Sequence, residues 1–317
     1  MENKKKLAIF SSPCINKDIQ TSQPMFLVVL ALLPAWLWGV YLFGFKAFLL
    51  TVVCVMTCVF SEMIVQVMRK REVFIVKDFS ALITGLLLAM VLPPHFSLGL
   101  AILGSIFAII IGKALFGGLG FNVFNPALLA RAFLTISFPV EMSKWVAPLS
   151  QATSHATPLA LWKFEGAFTS LKTLFFGLHG GALGETSVLL LLVGGIFLMM
   201  MRIVDFKVPL FILATVLLGS FVSAAATGGG LNFVFFNFFS GGLMLGAFFM
   251  ATDWVTSPIT KLGSIVYAIG IGLVIITIRL FSGMAEGVMF AVLFMNAFVP
   301  LINRHTRSNS FGASGNV

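Results

Sequence analysis

Residues 207–228 read KVPLFILATVLLGSFVSAAATG, an apolar block whose only charge is on its first residue. About 20 apolar residues in a helix span the hydrocarbon core of a bilayer. Lipid offers no hydrogen-bond partners, so a chain that crosses it forms helices or a closed barrel. The continuous apolar run differs from the alternating pattern of barrel strands. This block therefore predicts a transmembrane helix.

The rest of the chain has the same character. Its 317 residues are 59% hydrophobic and 10% charged, with a mean hydropathy of +1.06, whereas soluble domains carry about 25% charged residues. We predict an all-α integral membrane protein with a single transmembrane domain at 24–303 and about ten transmembrane helices. The predicted spans are 24–45, 47–68, 79–93, 97–117, 122–139, 187–201, 207–228, 233–252, 262–281 and 284–303.

The distribution of positive charge indicates how these spans are oriented. With the N-terminus in the cytoplasm, thirteen of the 20 Lys and Arg residues fall in cytoplasmic segments and four fall on the opposite side. Cytoplasmic loops are enriched in Lys and Arg. The sequence therefore predicts a cytoplasmic N-terminal segment at 1–23, a cytoplasmic tail at 304–317 and an extracytoplasmic loop at 140–186. The same bias accounts for the net charge of +9, so nucleic-acid binding is not predicted.

Two pairs of short motifs suggest an internal repeat. NVFNP at 122–126 is similar to NAFVP at 296–300, and Phe-Ser at 79–80 is similar to Phe-Ser at 239–240. Five is an odd number, so a second half of five spans would start on the opposite side of the membrane. The two halves would then be inverted relative to each other, as in many transporters. We therefore predict two inverted five-helix repeats, with chance similarity between apolar sequences as the alternative.

Polar residues inside predicted spans are costly in lipid and mark candidate functional sites. Lys113 and Arg131 flank a glycine-rich stretch at 117–120 that is followed by Asn122 and Asn125. Glycines can break the helices here and free backbone groups for a ligand, while the asparagines add amide donors and acceptors. The alternative is a tight re-entrant turn with close helix packing.

Further candidates lie in the second half. Asp253 ends the eighth span within TDWVTSP, where it can cap the next helix or bind a ligand. Glu286 and Asn296 are about three helical turns apart, which predicts one shared face on the last span. GGALGETS at 180–187 enters the sixth span, where backbone N–H groups can meet an anion. No catalytic triad, phosphate-binding loop or metal-ligand spacing is present, so neither a catalytic side chain nor a metal site is predicted.

One short polar run, SQATSHATP at 150–158, interrupts the apolar chain. Thr157 followed by Pro158 is typical of a helix start, with Thr157 as the N-cap residue. The run also contains the pattern S-x-A-T twice, ending once at Thr153 and once at Thr157. A helix start and a modified threonine therefore both remain open from these residues.

The longer motifs around this run resemble one family of membrane flavoproteins. That family contains the D subunit of the Rnf complex, an ion-pumping ferredoxin:NAD⁺ oxidoreductase, and the B subunit of the Na⁺-translocating NADH:quinone reductase. The first span begins near residue 24, and Thr157 is followed directly by Pro-Leu. Both features favour the D-type subunit over the B-type subunit. The motifs are DFSALITGLLLAMVLPP (78–94), FGGLGFNVFNPALLAR (116–131), SHATPLALW (154–162), GGALGETS (180–187), ATDWVTSPIT (251–260) and EGVMFAVLFMNAFVPLIN (286–303).

The resemblance implies that FMN is attached to this chain. In the family, the last threonine of S-x-A-T carries FMN through a phosphoester bond. This implies FMN on Thr157, with Ser154 opening the tetrad and Thr153 as the second candidate. It also implies a second, non-covalent flavin such as riboflavin. Candidate residues of the cofactor sites are Asn122, Asn125, Arg131, Asp253 and Asn296.

The resemblance further implies a place in a larger assembly of the bacterial cytoplasmic membrane. The expected partners are other membrane subunits, including a second FMN-bearing subunit, and iron–sulfur subunits. The expected activity is electron transfer between ferredoxin and NAD, coupled to transport of Na⁺ or H⁺. The alternatives are a quinone reductase subunit, an inverted-repeat solute transporter without flavin, and a structural scaffold of the membrane.

Overall fold

The computed structural model describes residues 22–69, 78–149 and 156–307, and helices dominate all three ranges. The first half of this part of the chain contains five apolar helical segments. They are α1 (Ser22–Phe43), α2 (Phe45–Met68), α3 (Ser80–Val91), α4 (Leu98–Ile109, continued by a π-helical turn at Ile110–Ala114) and α5 (Pro126–Ser137).

A long connection with short helices separates the halves. It contains α6 (Pro139–Met142), α7 (Pro158–Glu165), α8 (Leu171–Phe176) and a 3-10 turn at Leu183–Glu185. The second half has α9 (Val188–Met200), α10 (Lys207–Thr227), α11 (Leu231–Phe239), α12 (Leu243–Leu245, continued by a π-helical turn at Gly246–Met250), α13 (Lys261–Phe281) and α14 (Val288–His305).

The ten predicted spans correspond to these apolar segments. Five helices of the described residues are long and apolar enough to cross a membrane, and Leu231–Phe239 with Leu243–Met250 counts as a sixth if this pair, which bends by 58°, is one span. The other four, α3, α4, α5 and α9, are shorter. The prediction of an all-helical, multi-pass membrane protein is therefore confirmed. The predicted fifth span at 122–139 was too long at its start, because the helix begins only at Pro126.

Small residues let the helices approach closely. A Cβ atom on Gly85 of α3 would lie 2.6 Å from the Cα atom of Val55 in α2. Gly194 of α9 lies against the backbone carbonyl of Ala31 in α1, which joins the two halves. Helix interfaces in membranes are generally built from such small residues.

The predicted correspondence between the two Asn-Pro motifs is wrong. Asn125 precedes α5 and caps it, whereas Asn296 and Pro300 lie inside α14. The structure shows a different match: LFGGL at 115–119 follows the π-helical turn after α4, and LFSGM at 280–284 begins with the last two residues of α13. Each motif joins the last two helices of its half.

The Phe-Ser motifs do occupy similar places in the two halves. Ser80 begins the short helix α3, and Ser240 stands just before the short helix α12. A buried cation follows in each half, Lys113 at the end of α4 and Arg279 at the end of α13. These matches agree with two related halves of five segments. Their inverted relation stays a prediction.

We expect Gly85→Ala to destabilise the protein by about 1–3 kcal/mol, because the added methyl group overpacks the contact between α3 and α2. Thermal unfolding in detergent measures the change. Gly99→Ala is the matched control, because no atom lies within 4 Å of a Cβ at that helical position. Equal melting of the two variants would contradict the role of this contact.

Candidate functional site

The connections between the last two helices of each half border two clefts. The first cleft lies at the start of α5, where Asn125 caps the helix, and the second lies toward its end, where Arg131 and Thr135 belong to the lining. We call the first the Asn125 cleft and the second the Thr157 cleft. The Asn125 cleft is lined by Ser80, Lys113, Asn122, Asn125 and Asp253 among others. The Thr157 cleft is lined by Arg131, Trp145, Thr157, Glu185, Glu286 and Phe290 among others.

Thr157 stands at the start of α7, as its sequence predicts. Its side-chain oxygen accepts a hydrogen bond from the backbone N–H of Ala160 at 3.3 Å, and Pro158 takes the first helical position. The N-cap interpretation is therefore confirmed. Thr157 also lines the cleft, so capping the helix and facing a ligand do not exclude each other. Ser154 and Thr153 lie outside the described residues.

An ion-pair cluster lies at the base of the Thr157 cleft. Nη2 of Arg131 in α5 is 2.8 Å from Oε2 of Glu286 and 3.7 Å from Oε1 of Glu185. The other Glu286 oxygen accepts the backbone N–H of Gly242 at 2.7 Å. These contacts join α5 of the first half to the connections of the second half.

The expected position of Glu286 on the last helix was wrong. Glu286 lies in the connection before α14, since the helix begins at Val288 after the cap residue Gly287. It pairs with Arg131 at the Thr157 cleft, whereas Asn296 joins the Asn125 cleft. The glycine after Glu286 ends the helical pattern that the spacing suggested.

The two carboxyl groups of the Thr157 cleft have different environments. Burial raises the pKa of Glu185 well above its ordinary value, and the nearby Glu286 carboxylate raises it further. Burial also opposes ionisation of Glu286, but Arg131 and the Gly242 N–H outweigh it and lower the pKa of that carboxyl. Glu185 belongs to the glycine-rich motif that predicts an anion site. At that helix start, Ser187 caps α9 by accepting the Leu190 N–H at 3.4 Å.

Arg279 supports the bend that shapes the same cleft. Its guanidinium donates hydrogen bonds to the carbonyl oxygens of Asn237 and, at 3.0 Å, Ser240. The bend between α11 and α12 leaves these carbonyls without helical partners. Sequence reasoning placed Arg279 in a span without giving it a role. A lone arginine within an apolar span was the available signal, because such a residue needs partners in the membrane.

In the Asn125 cleft, the Asn125 amide joins two helix ends. Its Oδ1 accepts the backbone N–H groups of Ala127 at 3.1 Å and Leu128 at 3.3 Å, which caps α5. Its Nδ2 donates to the carbonyl oxygen of Met250 at 3.3 Å, at the end of the π-helical turn after α12. Asn125 therefore satisfies the start of one short helix and the end of another.

Asn296 and Asp253 complete the polar part of this cleft. In the amide orientation that satisfies its neighbours, Asn296 accepts the Asn125 backbone N–H at 3.2 Å and contacts the Tyr267 hydroxyl at 2.6 Å. Asp253 accepts the Thr256 hydroxyl at 3.1 Å. It does not cap the next helix, because Thr260 caps α13 through the Gly263 N–H. The predicted residues Asn122, Asn125, Asp253 and Asn296 thus come together, whereas Arg131 belongs to the other cleft.

A buried ion pair lies beside them. Nζ of Lys113 is 2.6 Å from Oε1 of Glu62 and 2.5 Å from the Ser80 hydroxyl at the start of α3. The sequence singled out Lys113 but not Glu62. A single carboxylate within an apolar block was the available signal, because a buried lysine in a membrane protein requires a partner.

The fold and the two clefts define a multi-pass membrane protein whose helical bundle contains two separate polar clefts. The model of the NQR2, RnfD, RnfE family matches residues 8–312, and the chain belongs to this family. A relative from Acetobacterium woodii, named as the D subunit of a Na⁺-translocating ferredoxin:NAD⁺ oxidoreductase complex, is 42% identical over 98% of this chain and 97% of its own.

Two further relatives carry similar names. The D subunit of a proton-translocating ferredoxin:NAD⁺ oxidoreductase complex from Clostridium ljungdahlii is 39% identical over 96% of each chain. The D subunit of an ion-translocating oxidoreductase complex from Stutzerimonas stutzeri is 41% identical over 90% of each chain. These names agree with the D-type resemblance found from the motifs.

We expect Asn125→Ala to destabilise the protein by about 1–3 kcal/mol, because it removes an N-cap and leaves the Met250 carbonyl without its partner. Thermal unfolding in detergent tests this. Asn232→Ala, at an exposed position of α11, is the matched control and should change stability by less than about 0.5 kcal/mol. A control that melts as low as Asn125→Ala would refute the proposed bridge.

Proposed function

We propose that this chain is the D-type flavin subunit of an ion-translocating ferredoxin:NAD⁺ oxidoreductase complex, with FMN held covalently on Thr157. The observation that carries the proposal is the position of Thr157. The last residue of an S-x-A-T tetrad lies at the edge of a cleft that contains the buried guanidinium of Arg131. Family membership and the names of the relatives support the same conclusion.

The residues of the Thr157 cleft fit such a group. A phosphoester on the Thr157 oxygen would lie at the N-terminus of α7, where backbone N–H groups favour negative charge. Arg131 adds a cation whose Nε has no hydrogen-bond partner among the described residues. Trp145 and Phe290 add aromatic surface to the lining. Flavin supplies the redox chemistry when it is bound, and these side chains would orient it and tune its potential.

The tether itself has a physical purpose. A covalent bond through the phosphate leaves the redox-active ring chemically unchanged. It keeps the flavin at a high effective concentration beside its redox partners, and the flavin cannot diffuse away. A face predicted to be extracytoplasmic has no cytoplasmic flavin supply, so retention matters most there.

The Asn125 cleft is the proposed site of a second, non-covalent flavin such as riboflavin. The matching positions of the two clefts support this proposal, since each lies next to the start of a short helix and the connection between the last two helices of one half. Asn122 and Asp253 offer amide and carboxyl groups to the ligand. Asn125 and Asn296 hold the wall of the cleft in place.

The proposed electron path crosses the bundle. Electrons from reduced ferredoxin would reach the FMN of another subunit through iron–sulfur subunits, pass to the flavin on Thr157 and then to the flavin of the Asn125 cleft. They would return to cytoplasmic cofactors and NAD⁺, with Na⁺ or H⁺ transport driven by the transfer. The complex sits in the bacterial cytoplasmic membrane, with both termini of this chain in the cytoplasm and the 140–186 loop outside.

The B-type subunit of a Na⁺-translocating NADH:quinone reductase is the second candidate, because the family includes that branch. The names of the relatives favour the D-type subunit. A solute transporter without flavin and a structural scaffold receive no support from these relatives.

We expect Thr157→Val to abolish covalent flavin, because it removes the only oxygen of that side chain. Fluorescence of the denatured subunit in a gel measures the attachment. Thr169→Val, in the same long connection, is the matched control and should keep full fluorescence. Fluorescence that persists in Thr157→Val and disappears in Thr153→Val would move the tether to Thr153.

We expect Asp253→Ala to weaken non-covalent flavin binding about tenfold, as is typical for losing a hydrogen bond to a charged group. Flavin extracted from the purified complex by denaturation is quantified by chromatography. Covalent flavin on Thr157 should remain, which separates a local effect from misfolding. Asp205→Ala, an exposed aspartate in the α9–α10 connection, is the control. If Asp253→Ala retained as much extractable flavin as wild type, the second flavin would have to lie elsewhere.

A further inference from the structure

A buried carboxyl group beside the Thr157 cleft lacks a donor on one oxygen. Glu185 is only 5% exposed, and its side chain lines the cleft. Its Oε1 receives no hydrogen bond from a donor group among the described residues. Nη2 of Arg131, which pairs with this oxygen, is 3.7 Å away, beyond hydrogen-bond distance. The Glu185 side chain is also in hydrogen-bond contact with the Glu286 side chain, and because an ionised carboxylate has no proton to donate, one of the two carboxyl groups must carry a proton.

The neighbouring carboxylate takes the available donors. Glu286 receives Arg131 at 2.8 Å on one oxygen and the Gly242 N–H at 2.7 Å on the other. One guanidinium thus forms a close ion pair with one of the two carboxyl groups. A buried carboxylate needs hydrogen-bond donors to stay ionised. Glu286 meets this requirement on both oxygens, whereas Oε1 of Glu185 does not.

The other charged and titratable groups around Glu185 do not supply the missing donor. Arg279 lies behind the same glycine pair, but its two terminal nitrogens donate to the carbonyl oxygens of Asn237 and Ser240. The His179 ring lies near Gly181, where a Cβ would also meet Oε2 of Glu185 at 3.2 Å. That position concerns Oε2, and Oε1 is a buried atom that receives no hydrogen bond from a donor group among the described residues.

We propose that Glu185 is a neutral carboxylic acid at neutral pH and that its O–H group donates a hydrogen bond to the Glu286 carboxylate, so that these two carboxyl groups of the Thr157 cleft carry one negative charge between them. Carboxylic acids kept neutral by their surroundings can serve as such donors. The effect of this charge on a bound flavin rests on the proposed function, whereas the protonation of Glu185 does not.

The first experiment needs no flavin. The intact complex carrying Glu185→Gln is heated at a series of pH values, and the soluble fraction of a tagged copy of this chain is measured. Glutamine copies a neutral carboxylic acid, so the melting temperatures of variant and wild type should coincide below the ordinary pKa of a glutamate, where the unfolded chain also keeps the proton. Burial that raises the pKa of Glu185 favours the protonated form in the folded chain. Wild type should therefore lose stability relative to Glu185→Gln as the pH rises from the ordinary pKa of a glutamate to the raised pKa of Glu185.

Two further variants make the result specific. Glu286→Gln should melt well below wild type near neutral pH, because it leaves Arg131 without its close partner. Glu141→Gln, at a partly exposed ion pair with Lys144, should melt like wild type throughout. Glu185→Gln that melts below wild type near neutral pH would show an ionised Glu185 and overturn the proposal.

The second experiment tests the donor role. The redox potential of the covalent flavin is measured by absorbance in wild type, Glu185→Gln and Glu185→Leu. Glutamine retains an N–H donor to Glu286, so its potential should match wild type near neutral pH, while leucine leaves the Glu286 carboxylate without that donor and should shift it. Equal potentials in all three proteins would overturn the donation from Glu185 to Glu286. Absence of covalent flavin from wild type would instead refute the proposed function, and the melting experiment would still decide the protonation of Glu185.

Discussion

Four short helices impose the main physical constraint on this fold. Helices of 12 to 13 residues, such as α3, α5 and α9, are about 18–20 Å long at 1.5 Å per residue, whereas the hydrocarbon core is about 30 Å thick. Their ends therefore lie at depths where lipid cannot satisfy free N–H and C=O groups. Polar side chains must do so instead. Asn125 serves the start of α5 and the end of the turn after α12, and Arg279 serves the end of α11.

The same constraint creates the clefts. Where a short helix stops, the space beyond its end is polar and is not filled by another helix. The two clefts occupy such spaces, one beside the starts of α3 and α5 and the other beside the bend before α12. Charged groups can remain there because they pair with one another, as Lys113 does with Glu62 and Arg131 with Glu286. The residues that support the helix ends therefore lie next to the residues that line the clefts.

The apolar segments were predictable from sequence because burial in lipid requires long runs of apolar residues, and these runs are visible without a structure. The N-cap position of Thr157 was predicted from Thr-Pro, whereas Asn125 was interpreted only as a candidate site residue, although Asn-Pro has the same local preference. Long-range pairing could not be predicted from the sequence. Nothing local to Glu286 reveals Arg131, which is 155 residues away. The glycine before α14 shortened that helix and removed Glu286 from the face that spacing alone suggested.

The contrast between the clefts gives them different chemical tasks under the proposed function. Apolar side chains make up most of the wall of the Asn125 cleft, Asn122 and Asn125 supply its amide groups, and its lysine is paired with Glu62 at 2.6 Å. The Thr157 cleft combines Arg131 with two carboxyl groups, only one of which receives donors on both oxygens. An added electron is stabilised by nearby positive charge and donors and destabilised by ionised carboxylates. Two chemically similar flavins would therefore differ in potential through their surroundings, and that difference would set the direction of electron transfer between them.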